Sequence, residues 1–185
     1  MIPACLTVIV ALVAGSAPPE GAAGWRSPAA RCEALAARLE IALEVRPVVA
    51  DMCRHAPTFR RQVARLATQP DMTVTVRVVA FPPTVRWRAR TTIERVEGYV
   101  AAADVQVQGG DPRMLVELIA HEFEHILEQL DGVDLSRWIG RSGVRRVGSD
   151  SRSGPIETER AQQVGLLVAG EYRAAPAELT ASRRR

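Results

Sequence analysis

The chain has 185 residues, of which 47% are hydrophobic, 24% charged and only 4% aromatic. This balance suits one folded domain: it is too polar for a multi-span membrane protein and too apolar for a disordered one, and no run approaches the roughly 20 apolar residues of a bilayer crossing. All 24 cations are arginine, and 21 acids leave a net charge of +3, too small an excess to point to nucleic acid.

Residues Ala4 to Gly15 form an apolar run that ends in small residues and Pro18-Pro19. Its length matches the core of a secretory signal peptide, although no cation precedes it. Residues 1–24 are therefore expected to be a leader, cut after Gly15 or near Ala23, and the protein to be exported to the periplasm or beyond the cell. A buried N-terminal strand or helix is the alternative, and an uncleaved anchor a lesser one. About 161 residues would remain, enough for a core without staples. Cys5 would leave with the leader. Cys32 and Cys53 would then form a disulfide, the alternative being two buried thiols.

Ser27-Pro28 opens a capped, Ala-rich helix over residues 29–44, with Leu35, Leu39 and Leu43 at steps of four. Arg46-Pro47 is expected to end it. A second helix runs from about Pro57 to Ala67, so a bridge from Cys32 to Cys53 would tie the two helical segments together. The pattern then changes to period two: residues 72–79 alternate around Val74, Val76 and Val78. Residues 85–93 alternate Val85, Trp87, Ala89, Thr91 and Ile93 against arginines, and residues 99–107 alternate again after Glu97-Gly98. Three strands in an antiparallel meander are expected. Asp111 as N-cap and Pro112 as first residue open a long helix that ends at Asp131-Gly132. Residues 140–154, rich in Gly, Ser and Arg, read as a surface loop. Pro155 opens a last helix ending near Glu171, and residues 176–185 read as a frayed basic tail. The expected fold class is α+β: N-terminal helices, a small three-stranded antiparallel sheet and a pair of helices.

The long helix contains His121-Glu122-Phe123-Glu124-His125, an H-E-x-x-H motif. A spacing of four puts both imidazoles on one helical face, where they can converge on one cation, and neutral imidazole suits zinc. Glu122 lies beside that face, placed to take a proton from water that the ion activates. The neighbours Leu115, Leu118, Ile119, Ile126 and Leu127 are apolar, so the polar trio wants a partner. The bland alternative is a pair of half-buried histidines. A zinc site needs a third protein ligand. Glu157 shares a stripe with Ala161, Val164 and Val168 and would point inward on the last helix; it is the expected third ligand. Glu159 is the fallback, His55 is isolated, and Glu157 could instead merely cap the helix.

An H-E-x-x-H helix after a small sheet, followed by a helix with a glutamate, resembles the gluzincin group of zinc metallopeptidases in their minimal single-domain form. The block from Leu118 to Leu135, with Glu157 to Ala161, is also similar to a family of exported bacterial proteins without a settled role. The metzincin continuation is absent, since Glu128 and Asp131 occupy the places of its Gly and last His. The resemblance implies a single zincin-like domain over residues 25–175 that hydrolyses peptide bonds. His121, His125 and Glu157 would be its zinc ligands and Glu122 its general base. It further implies that the strand Tyr99–Val107 binds the peptide substrate along its backbone. No histidine follows His125 to stabilise the oxyanion, so Tyr172, Tyr99 or an arginine of residues 140–152 would have to. Glu128, Asp131 and Asp134 are candidates for orienting a histidine ring. The partner expected is a peptide or protein, with neither nucleic acid nor stable membrane insertion after processing. The alternative from another class is a zinc-stabilised binding or scaffold module without turnover.

Overall fold

In a computed structural model the described residues are 27–133, 135, 139–140, 143–146 and 155–175. The leader, Cys5, Asp134, Arg141, Arg152 and the basic tail lie outside them. The elements run α1 (Pro28–Ala36), β1 (Glu40–Ile41), α2 (Arg46–His55), α3 (Pro57–Leu66), β2 (Thr73–Val79), β3 (Ala89–Val96), β4 (Tyr99–Gln108), α4 (Pro112–Leu130), β5 (Val144–Arg146), β6 (Ile156–Thr158) and α5 (Glu159–Ala174). The class is α+β, as expected, but the details differ along the chain.

The first helix is shorter. Ser27 caps it, its hydroxyl accepting from the Ala30 amide, but it stops at Ala36. Glu40 and Ile41 instead pair in parallel with Thr75 and Val76 of β2. The leucine spacing is helical, yet closing the open side of β2 and burying Ile41 outweighs that local preference. Pro47, read as a terminator, sits in the first turn of α2, where its missing N–H costs nothing. The Cys32–Cys53 disulfide therefore joins α1 to α2, and not to the helix that starts at Pro57.

The sheet is four-stranded and mixed, in the order β1-β2-β4-β3. The expected meander is wrong: β2 pairs in parallel with β4, and only β3 and β4 run antiparallel. Glu97 and Gly98, at φ of 50° and 88°, form the tight turn between them. The reason lies in composition. Ala103, Val105 and Val107 make β4 fit for the centre, whereas β3, largely exposed and carrying Arg90, Thr92, Glu94 and Arg95, suits an edge. Strand β3 also begins at Ala89, not Val85.

One face of the sheet is wet, with Arg77 on Asp104 and Arg90 on Gln106. The other carries the core, where Phe59 of α3 stacks on Phe123 of α4 with ring centroids 5.6 Å apart. Helix α4 packs against β3, β4, α3 and α5. Asp111 caps it through the Arg113 amide, as its sequence dictates. Part of the expected surface loop is β5, which pairs with β6 so that Arg145 stands opposite Glu157. The last helix starts at Glu159, capped by Thr158. Among the described residues no helix is long and apolar enough to cross a membrane.

Candidate metal centre

Helix α4 delivers the first two groups. His121 and His125 are one turn apart, and their Nε2 atoms stand 3.1 Å from each other. The third comes from β6, not from a helix: Glu157 Oε2 lies 3.3 Å from His121 Nε2. One donor atom from each of the three falls within 4.8 Å of the others, so together they could hold a metal ion. The expected residues are thus brought together, but the reason given for Glu157 was wrong. Its inward aim comes from pairing across the β5–β6 ribbon, and Thr158 takes the capping role. Glu159 turns outward and accepts from Gln163. His55 meets the ring of Tyr172.

The imidazole of His125 is held from behind. Its Nδ1 lies 2.9 Å from Glu128 Oε2, and the Thr158 hydroxyl donates to Glu128 Oε1 at 2.8 Å. All three are buried. A carboxylate at Nδ1 places the proton there and leaves the Nε2 lone pair for an ion. Of the three acids considered for this role, Glu128 fills it. Asp131 instead pairs with Arg65 and Arg160. Thr158 was missed, although a threonine directly ahead of an acidic first turn is an N-cap signature.

The charges follow the geometry. Burial works against a charged His121, but the hydrogen bond and charge of Glu157, with the charges of Glu122 and Glu128, raise its pKa above the usual imidazole value. Burial also opposes the Glu157 carboxylate, yet His121, then His125 and Arg145, hold its pKa below the carboxylate norm. Glu122 differs. It is almost wholly buried, and that burial raises its pKa even though Thr91 Oγ1 donates to its Oε2 at 2.6 Å. A carboxyl raised in this way is a better proton acceptor than a solvated one.

Glu122, His125 and Glu157 line a cleft of about 740 Å³ bounded by β3, α4 and β6, and His121, not itself in the lining, touches both His125 and Glu157. The strand beside it is β3, with Ala89, Thr91 and Ile93 facing the cleft, and not the interior strand β4. Tyr172 lines a different pocket and Tyr99 is 78% exposed, so neither reaches this one. Arg146 does line it.

Compared with protein-family models, with curated proteins and with solved structures, the chain matches none of them.

Proposed function

We propose that the chain is an exported, gluzincin-like zinc peptidase. The observation that carries this reading is the meeting of His121, His125 and Glu157, the last two in the wall of a cleft that Glu122 and an edge strand also line. The donor set suits zinc: two imidazole nitrogens and one carboxylate oxygen, with His121 3.1 Å from His125 and 3.3 Å from Glu157 and all three donors within 4.8 Å of one another. Ligands about 2.0–2.1 Å from one tetrahedral ion stand roughly 3.3 Å apart. Export accords with the Cys32–Cys53 bridge, a bond that oxidising compartments allow.

When bound, zinc would polarise the scissile carbonyl and lower the pKa of water. The rest falls to side chains. Glu122 accepts the proton of the attacking water and hands it to the leaving amine, with Thr91 fixing the carboxylate's direction. Glu128, held by Thr158, keeps the His125 lone pair aimed at the ion. Strand β3 offers its free backbone edge to an extended peptide. Of the described arginines that line the cleft, Arg90, Arg95 and Arg146, the last is assigned to the oxyanion.

Glu122→Gln is the test. It should lower kcat/KM by at least about a thousandfold while zinc content stays at that of the parent chain, because the amide cannot take the proton. Full activity in this variant would sink the proposed role of Glu122. One observation favours a second reading, a zinc-stabilised binding module: among the described residues no tyrosine lines the cleft, and its histidine His125 is a proposed ligand. That reading expects zinc in both proteins and hydrolysis in neither.

A further inference from the structure

Strand β3 presents its odd-numbered residues to the cleft, and Arg90, which donates to Gln106, also lines it. Ala89, Thr91 and Ile93 are small or apolar, and the fourth in the series is Arg95. Its guanidinium is held in place: Nη1 donates to Gly98 O at 2.9 Å, and Nη2 to Gln129 O at 3.2 Å and Gln129 Oε1 at 2.7 Å. All three acceptors are neutral, so the charge stays uncompensated, with the Nε–H and one Nη1–H still unspent. Among the described residues Arg95 forms no ion pair. The acids in the described cleft lining are Glu122 and Glu157, both committed to the reaction.

A fixed, unpaired guanidinium at the edge of a substrate groove selects a carboxylate. Building on the peptidase reading, we propose that Arg95 binds a carboxylate of the substrate, so that the cleft favours peptides with an acidic group at a set distance from the cut. Two routes give that distance. Arg95 lies four residues beyond Thr91, about 13 Å along a strand. Gln129 lies seven residues beyond Glu122, about 10 Å along a helix. The contacts from Thr91 to Glu122 and from Arg95 to Gln129 keep the two in step. An extended peptide advances about 3.3 Å per residue, so the carboxylate belongs three or four residues from the scissile bond. An Asp or Glu side chain and a free C-terminus share that chemistry.

The experiment digests a library of proteome-derived peptides with the zinc-loaded full chain and with Arg95→Gln and Arg95→Lys, and reads the cut sites by mass spectrometry. The parent protein should enrich Asp or Glu at one position three or four residues from the cut. Arg95→Gln should reduce the preference for acidic over amide-matched peptides about tenfold, with Arg95→Lys between them. Retention of the preference after C-terminal amidation identifies the side chain, and its loss identifies the terminus. Cutting without acidic enrichment, or enrichment untouched by Arg95→Gln, overturns the proposal and leaves the peptidase reading standing. If nothing is cut, binding of the same library to the Glu122→Gln protein decides. Arg95-dependent retention of acidic peptides supports the carboxylate site while sinking the peptidase, and its absence overturns both.

Discussion

His125 illustrates how one side chain is prepared by two others. Its Nδ1 meets Glu128, and Glu128 is held by Thr158, whose hydroxyl also accepts from the Ala161 amide at the head of α5. One threonine thereby caps a helix and fixes a carboxylate. Glu128→Gln should weaken zinc binding 10- to 100-fold, read by chelator competition, because an amide no longer compels the proton onto Nδ1. Thr158→Val should act in the same direction and also lose the cap, about 1 kcal/mol of stability. Thr158→Ser should restore both. Unchanged zinc affinity in Glu128→Gln would show the pair to be structural only.

Helices α4 and α5 approach closely, and Gly165 is the reason. A Cβ there would stand 3.1 Å from Glu117 O and 3.2 Å from His121 Cβ, whereas one at Gly170 would meet nothing within 4 Å. The same substitution should therefore have opposite signs along one helix. Gly170→Ala should stabilise by up to about 1 kcal/mol through helix propensity. Gly165→Ala should cost about 1–3 kcal/mol by overpacking, and it should loosen zinc because the strain falls on His121. Denaturant unfolding of the two variants reads the difference. Asp131 joins elements in another way, pairing with Arg65 of α3 and Arg160 of α5, and these bonds lower its pKa. A depressed carboxylate stabilises above its unfolded pKa of about 3.9, and the gain is lost as pH falls through the lower folded value. The stability difference between the parent and Asp131→Asn should thus be constant above about pH 5 and vanish in stronger acid. Solvent screening keeps it under about 1 kcal/mol.

For the molecule as a whole, local features were legible and non-local ones were not. The caps Ser27 and Asp111, the Glu97-Gly98 turn and the spacing of His121 and His125 are all set by residues within four places of each other. The parallel pairing of β2 with β4, the two-residue strand at Glu40 and the β5–β6 ribbon depend on segments far apart in the chain, and no periodicity reports them. Pro47 is ambiguous by nature, since the same ring ends one helix and starts another. Glu157 was found through a helical stripe that does not reach it; the sound part of the inference was that its carboxylate faces inward, where it meets His121. Everything proposed for activity rests on these three donors sharing one ion. Anomalous X-ray scattering at the zinc edge, from crystals of the protein grown with zinc, tests that directly. The expected result is one strong peak about 2.0–2.2 Å from the Nε2 atoms of His121 and His125 and from a Glu157 oxygen. An empty site in zinc-containing crystals, or zinc held by other side chains, would contradict it.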